Sequence, residues 1–242
     1  MDDPVLRLSF GNVAETYDRV RPPYSQELLD RAQVALALDA DARVLDLAAG
    51  TGRLTNELAR RFAHVVAVEP NDAMRALIRD GDVRAGSAEA IPLEDASVDA
   101  VFVGEAFHWF DPHAAIAEIA RVLRPHGGLA VVHTHWWETE PPLPEEALAP
   151  LREPWDRAQP QRRPSWRGAF DGSPFEPLQV EHDTDEITVD PDELLTLYST
   201  TSSLASLPTS EREALFDRVR LLLVGPYRLP LKHDLTWTRL AA

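Results

Sequence analysis

The feature that most constrains the fold is an apolar segment that runs directly into a glycine-rich loop. Residues 43–48 read Arg-Val-Leu-Asp-Leu-Ala, a pattern typical of a buried strand, and the chain continues as Ala49-Gly50-Thr51-Gly52. A second apolar segment, residues 64–68, ends at Glu69, about 20 residues further on. A strand, a tight glycine turn and a helix in this order present backbone amides at the carboxyl edge of a parallel sheet. The order therefore predicts a ligand site at that edge.

The segments on both sides of this loop alternate between helix-like and strand-like patterns. Helix starts are predicted at Ser25, after Gly52, near Asn71 and at Asp111-Pro112. Strands are predicted at residues 43–48, 64–69, 83–86, 98–103 and 129–133. Regular alternation of this kind is typical of an α/β fold in which helices cover a mostly parallel sheet.

The C-terminal part of the chain is predicted to add further helices and a last strand. Helices are expected from Asp190-Pro191 and from Ser210, where residues 210–213 fit a capping box. The alternating apolar residues from Leu229 to Leu240 predict a final strand at an antiparallel edge of the sheet.

Proline content divides the chain into segments. Nine of its 20 prolines lie in residues 138–180, together with Trp155 and Trp166. Because proline disfavours helix interiors and central strands, this region is expected to be irregular. The sequence thus suggests four segments: an N-terminal segment with the first helix (1–40), a cofactor-binding core (41–137), a Pro/Trp-rich lid or insertion (138–180), and C-terminal strands and helices that complete the sheet (181–242).

Charge and composition narrow the classes of partner. The formal net charge is −16, with 40 acidic and 24 basic side chains, so the surface is predicted to repel a nucleic-acid backbone. The absence of cysteine excludes disulfides and thiolate chemistry. An acidic start and the lack of a run of roughly 18 to 20 apolar residues predict a soluble cytoplasmic protein without a signal peptide or membrane partner. The oligomeric state stays open.

Three positions indicate which kind of nucleotide the glycine-rich loop binds. A dinucleotide site needs a third small residue where this chain has Thr55. Asp46, four residues before the first glycine, would oppose a pyrophosphate but suits a cationic amino-acid tail. Glu69 can accept hydrogen bonds from both ribose hydroxyls, although an acidic strand end is also common at a surface. Together the residues favour a nucleoside with a cationic tail over NAD.

Residues 44–52 resemble the first motif of class I S-adenosylmethionine-dependent methyltransferases. Further stretches resemble this family's motifs in the same order, namely residues 68–74, 86–93, 107–110 and 121–129. The N-terminal stretch 17–24 is similar to that of small-molecule members, including the trans-aconitate methyltransferase-like branch. The resemblance is dense across residues 10–135 and weaker beyond.

The resemblance implies a Rossmann-like, doubly wound, mostly parallel seven-stranded sheet with an antiparallel C-terminal strand and a lid or insertion. It also implies S-adenosylmethionine as the cofactor. Ser87 stands where the family usually has aspartate, so backbone groups are expected to supply part of the adenine contact. The implied cofactor-binding residues are Tyr17, Arg21, Asp46, Ala48, Gly50, Thr51, Gly52, Glu69, Pro70, Met74, Ser87, Ala88 and Glu105. For Tyr17 and Arg21, a solvated helix is the simpler alternative.

The acceptor side of the site is expected where the fourth and fifth strands end. His108 is the candidate general base, because histidine transfers protons near neutral pH; the alternative is that it packs beside the cofactor or caps a helix. Candidate acceptor-contacting residues are His108, Trp109, His133, Trp136 and Trp137, and packing in the core is an equal alternative for Trp136 and Trp137. No metal is expected, since His133 and His135 alone would make a poor magnesium site.

These features favour an enzyme that transfers a methyl group from S-adenosylmethionine to an oxygen, nitrogen or carbon of a small molecule. Two alternatives stay open from the residues alone: an NAD-type oxidoreductase, and a non-catalytic module that binds a nucleotide on the same fold. The charge balance disfavours an RNA acceptor.

Overall fold

The computed structural model describes residues 14–136, 143–158 and 165–241, and within them the strands form one sheet. They are β1 (Arg43–Leu47), β2 (His64–Val68), β3 (Asp82–Arg84), β4 (Val98–Gly104), β5 (Leu123–His135), β6 (Gln179–Val189) and β7 (Tyr227–Arg239). Their order across the sheet is β3-β2-β1-β4-β5-β7-β6. Strands β1 to β5 pair in parallel, and the C-terminal strand is antiparallel. The predicted seven-stranded, mostly parallel sheet is confirmed.

The helices begin where side chains satisfy the free amides of the first turn. In the described residues they are α1 (Ala14–Val20), α2 (Gln26–Ala35), α3 (Arg53–Ala59), α4 (Asp72–Arg75), α5 (Pro112–Val122), α6 (Glu145–Ala158), α7 (Pro191–Ser199), α8 (Ser202–Ala205) and α9 (Thr209–Arg220). Ser25, Asn71, Asp111 and Asp190 each accept backbone hydrogen bonds at a helix start, as their positions predicted.

The described residues divide into two compact units. One contains the described residues within Pro23–Thr134, Pro164–Asp183 and His233–Ala242, and it holds strands β1 to β4. Side chains of β1 point alternately to two apolar clusters. Val44 packs with Leu54 and Leu58 on one face, whereas Leu45 packs with Ile119 on the other. Because both faces are apolar, helices cover the sheet on both sides.

The other unit contains the described residues within Met1–Pro22, His135–Arg163 and Thr184–Lys232. Its core includes Trp136, Leu151, Leu194, Leu215 and Leu231. Strands β5, β6 and β7 each have residues in both units. Among the helices described, none is long and apolar enough to cross a bilayer.

Three details of the predicted elements are wrong. Helix α9 begins at Thr209 with Pro208 at its cap, so Ser210 lies inside the helix and caps nothing. Strand β7 lies between β5 and β6 and is not an edge strand. Residues 145–158 form a helix despite Pro150 and Pro154, because an apolar face that includes Ala147 and Leu151 is buried and packing outweighs local propensity.

Two strands also depart from the prediction: β5 starts earlier than expected, and β6 was not predicted. Strand β5 begins at Leu123, six residues before the predicted start, and passes through a left-handed His126 with φ 65°. Strand β6 was not located from the sequence, because ten of its eleven residues stay at least partly exposed and it has no clear apolar alternation.

Candidate functional site

The loop after β1 turns sharply through left-handed backbone conformations. Ala48, Gly50 and Gly52 have φ of 59°, 58° and 88°. A Cβ atom on Gly52 would lie 3.0 Å from Cγ2 of Ile78, so glycine is required there by space as well as by φ. The amide of Ala49 donates to the carbonyl of Val68 at 3.0 Å, which fixes the loop beside the end of β2.

Glu69 anchors this loop from the neighbouring strand end. Its carboxylate is buried and accepts from the amide of Gly50 through Oε2 at 2.9 Å and from the amide of Asn71 through Oε1 at 2.8 Å. A carboxylate offers about four acceptor positions. An anchored glutamate of this kind fits the predicted role of accepting from ribose hydroxyls, so the surface alternative does not apply.

Asp46 lies beneath the loop with its side chain fully buried. The hydroxyl of Thr55 donates to Oδ2 at 2.6 Å, while Oδ1 has no hydrogen-bond partner in the described residues. Burial raises the pKa of Asp46 to about 7; the Thr55 hydrogen bond opposes this rise and the nearby charge of Glu69 adds to it. A buried carboxylate with one unsatisfied oxygen fits a cationic ligand group.

Two side chains of α5 hold the loop that contains Ser87 and Ala88. Glu118 accepts from the amide of Ile91 at 2.8 Å, and the guanidinium of Arg121 donates to the carbonyls of Ile91 and Leu93 at 2.9 and 2.8 Å. Arg121 also binds both carboxylate oxygens of Glu118 at 2.7 Å and holds the pKa of Glu118 below its usual range. The pair of side chains, which we call the Glu118–Arg121 clamp, holds the loop backbone at Ile91 and Leu93.

The sequence did not assign Glu118 and Arg121 to the site. Their spacing of three residues on a helix is a signal for an ion pair, but nothing in that spacing shows that the pair also binds a distant loop. Within this loop Ala88 is buried, whereas Ser87 is partly exposed.

The ends of β4 and β5 bring together three predicted acceptor-side residues. The ring of His108 lies 4.9 Å from that of Trp109 and 6.2 Å from that of His133, measured between centroids. His108 is exposed, and His133 is half-buried. Glu105 precedes them with φ 59°, and its carboxylate accepts from the amide of Thr134.

Tyr17, Arg21 and Trp136 form a cluster in the other unit. The Arg21 guanidinium lies 4.7 Å from the ring centroid of Tyr17 and 5.8 Å from that of Trp136. It donates to Oγ1 and the carbonyl of Thr200 at 2.9 and 2.7 Å. Trp136 meets Tyr198 edge-on at 5.0 Å. Thr200 was missed, since 179 positions separate it from Arg21.

The remaining predicted residues are placed as follows. Thr51 and Met74 are buried, and the methyl carbon of Met74 would lie 3.5 Å from a Cβ on Gly50. Pro70 is exposed, and its carbonyl accepts from Arg75 at 3.3 Å. Trp137 lies outside the described residues. Within those residues, no group of three or more metal-ligating side chains is assembled.

Comparison with known proteins bears on this arrangement. A family model for a methyltransferase domain matches residues 45–131. An uncharacterized methyltransferase of Mycobacterium tuberculosis is 39% identical over 222 residues, covering 90% of this chain and 86% of the relative. The malonyl-[acyl-carrier protein] O-methyltransferase of Methylococcus capsulatus is 38% identical over 136 residues, which cover 51% of this chain and 49% of that relative. A solved structure described as a candidate type II methyltransferase of Anaeromyxobacter dehalogenans has a TM-score of 0.61 at 24% identity. The match covers 90% of this chain and 97% of that structure's chain.

The sheet order and the loop anchored by an acidic residue define a Rossmann-like α/β protein of the nucleoside-binding kind. The chain belongs to the class I S-adenosylmethionine-dependent methyltransferase family and is an enzyme of that class. This assignment replaces both the NAD-type oxidoreductase and the non-catalytic module that the residues alone left open.

Proposed function

We propose that the chain transfers the methyl group of S-adenosylmethionine to an oxygen, nitrogen or carbon atom of a small-molecule acceptor. The observation that carries this proposal is the gathering of His108, Trp109 and His133 at the carboxyl ends of β4 and β5. These residues belong to the same unit as Asp46 and Glu69. Ligands of open α/β sheets bind at that edge.

The chain's own groups have distinct roles toward the cofactor. Glu69 binds the ribose hydroxyls, and Asp46 faces the cationic methionine tail. The backbone of the loop from Ala48 through Gly50 and Thr51 to Gly52 encloses the tail, and Met74 and Pro70 flank the nucleoside. Ala88 and Ser87 meet the adenine through a backbone that Glu118 and Arg121 hold in place. Glu105, Tyr17 and Arg21 complete the proposed set.

Methyl transfer is an in-line displacement, so the protein acts mainly by aligning the acceptor with the methyl group and by excluding water. An acceptor that loses a proton in this step also needs a base. His108 is the proposed base, because its exposed imidazole is accessible to an acceptor and lies beside a second imidazole. Trp109, Trp136 and Trp137 are the proposed walls of the acceptor site, and residues 138–180 the proposed lid.

An acidic small molecule is the acceptor class that we favour. The second imidazole, that of His133, lies beside His108 and can donate an N–H group to a carboxylate while His108 stays neutral. The Methylococcus relative is named a malonyl-[acyl-carrier protein] O-methyltransferase. The sequence resemblance to the trans-aconitate methyltransferase-like branch points the same way. The net charge of −16 disfavours nucleic acid. The cytoplasmic location stays a prediction.

Ligand binding and product formation test the proposal separately. Calorimetry should show binding of S-adenosylhomocysteine and no binding of NAD, and a panel of acidic and phenolic metabolites should yield a product heavier by one methyl group. Donor binding without a methylated product from any member of the panel would contradict a small-molecule acceptor of these classes.

The role of His108 has its own test. His108→Ala should lower turnover at saturating acceptor by about 10²–10⁴-fold if the residue is the base. His113→Ala is the matched control, because His113 is an exposed histidine nearby on α5 and should leave turnover unchanged. Normal turnover of the His108 variant would refute the base role.

A further inference from the structure

Asp46 occupies an unusual place for an ionisable side chain. It belongs to β1, a central strand that pairs with β2 through Ala67 and with β4 through Phe102. Alternation along β1 puts its side chain on the same face as Val44, toward the apolar residues of α3. A carboxylate on this face is removed from water, and neither oxygen can be satisfied by solvent.

One side chain of α3 satisfies one of the two carboxyl oxygens. Thr55 and Asp46 are both fully buried, and the threonine hydroxyl donates to Oδ2 at 2.6 Å. The backbone amide of Thr55 also acts on the carboxyl group and, like the hydroxyl, lowers the pKa of Asp46. Oδ1 has no hydrogen-bond partner in the described residues. Buried polar atoms are satisfied in most proteins, so an orphaned oxygen beneath a ligand-binding loop points to a donor that the ligand brings.

Within the described residues, no charged side chain that acts on Asp46 supplies that donor. Glu69, at the end of β2, is the charged group that acts on Asp46, and it is also negative. From α3 the polar neighbour is the uncharged Thr55. The site thus holds two carboxyl groups close together in a buried position, and a cationic ligand group would relieve their repulsion.

We propose that Thr55 is a positioning residue for the cofactor: its hydroxyl holds one oxygen of Asp46 so that the other accepts from the ammonium group of the methionine tail, directly or through one water molecule. Asp46 releases its proton to solvent when this cation binds. The inference rests on the assignment of S-adenosylmethionine as the cofactor. It also gives Thr55 a function beyond the exclusion of a dinucleotide.

Proton release makes the affinity depend on pH in a defined direction. Burial raises the pKa of the free protein's Asp46 to about 7, and a bound cation lowers it. Below that pH the carboxyl group must lose its proton before the cation can bind. Affinity for S-adenosylhomocysteine should therefore be about tenfold weaker at pH 6 than at pH 8 and level off above pH 8.

The experiment is isothermal titration calorimetry with two product-like ligands from pH 5.5 to 8.5. S-adenosylhomocysteine carries the ammonium group, whereas 5′-methylthioadenosine has the same nucleoside and thioether without the amino-acid tail. S-adenosylhomocysteine should show the tenfold change in affinity and release close to one proton at pH 6, measured from the binding enthalpies in phosphate and Bis-Tris buffers. 5′-Methylthioadenosine should bind equally well at both pH values.

Variants of the pair separate positioning from a merely structural role. Asp46→Asn should abolish the pH dependence. Thr55→Val removes the hydroxyl at nearly constant volume and should move the rise in affinity to higher pH, while Thr55→Ser should restore the wild-type profile. Circular dichroism establishes that each variant is folded.

The outcomes distinguish this inference from the cofactor assignment. If the affinity for S-adenosylhomocysteine depends on pH in the same way in the wild type and in Asp46→Asn, or if binding at pH 6 releases no proton, then binding of the cation is not coupled to loss of the Asp46 proton. A Thr55→Val profile equal to that of the wild type would overturn the positioning role. Failure of S-adenosylhomocysteine to bind at any pH would refute the cofactor assignment itself, and the inference with it.

Discussion

Replacement of Asp46 by asparagine should change how the stability of the unliganded protein depends on pH. The carboxyl group is fully buried, and its pKa rises from an ordinary value of 3.8 to about 7 in the folded chain. Asparagine has nearly the same shape, still accepts from Thr55 and cannot ionise. The variant therefore removes the titration while it keeps the hydrogen bond at 2.6 Å.

The sign and size of the effect follow from linkage. Between pH 4 and pH 7 the unfolded chain has lost the Asp46 proton and the folded chain retains it, so the free energy of unfolding falls as pH rises. The stability that the protonated carboxyl contributes is fully present below the pKa of Asp46 in the unfolded chain. It is lost as the pH rises through the pKa of Asp46 in the folded chain. A shift of about three pKa units corresponds to about 4 kcal/mol, of which about 3 kcal/mol falls between pH 5 and pH 8.

Urea unfolding followed by circular dichroism measures this difference. The free energy of unfolding of Asp46→Asn minus that of the wild type should be about 3 kcal/mol larger at pH 8 than at pH 5, because only the wild type loses stability over this range. Asp41→Asn is the control, since Asp41 is exposed and should give the same difference at both pH values. An equal gap between the Asp46 variant and the wild type at pH 5 and pH 8 would refute the buried, protonated carboxyl.

Three further outcomes are expected. Glu69→Ala should weaken S-adenosylhomocysteine binding by about 1–3 kcal/mol, the scale of lost charge-assisted hydrogen bonds; calorimetry that shows unchanged affinity would mean that the ribose is bound elsewhere. Arg121→Gln removes the hydrogen bonds to the carbonyls of Ile91 and Leu93. It should lower the free energy of unfolding by about 1–3 kcal/mol and weaken adenosine binding. An unaltered unfolding midpoint in urea would contradict the role of this residue in holding the loop. Gly52→Ala forces a Cβ to 3.0 Å from Ile78 at φ 88° and should destabilise by about 1–2 kcal/mol; a thermal midpoint equal to the wild type would contradict that packing.

The parts of the site that the sequence predicted are those encoded by adjacent residues. The strand before Ala48, the turn at Gly50 and Gly52 and the helix after it depend on local apolar runs and on backbone freedom. Caps such as Asp111 are equally local, because the side chain binds amides two and three residues further on. These elements can be predicted from a few neighbouring positions.

The parts that could not be predicted depend on distant partners. Arg21 donates a hydrogen bond to Thr200, which lies 179 residues further along the sequence. Arg121 donates to the carbonyl of Ile91, which lies 30 residues earlier. Strand β6 has a polar, largely exposed sequence, and its place at the sheet edge depends on pairing with β7. No local pattern specifies such pairings, since their energy comes from tertiary context.

The interleaving of the two units along the chain has a consequence for the whole molecule. Within the described residues the chain passes from one unit to the other after Pro22, Thr134, Asp183 and Lys232, and the last three of these crossings lie inside β5, β6 and β7. A single cut therefore cannot release either unit as one contiguous fragment. Because three strands contribute residues to both units, a truncation at any of the last three boundaries would cut through a strand of the sheet.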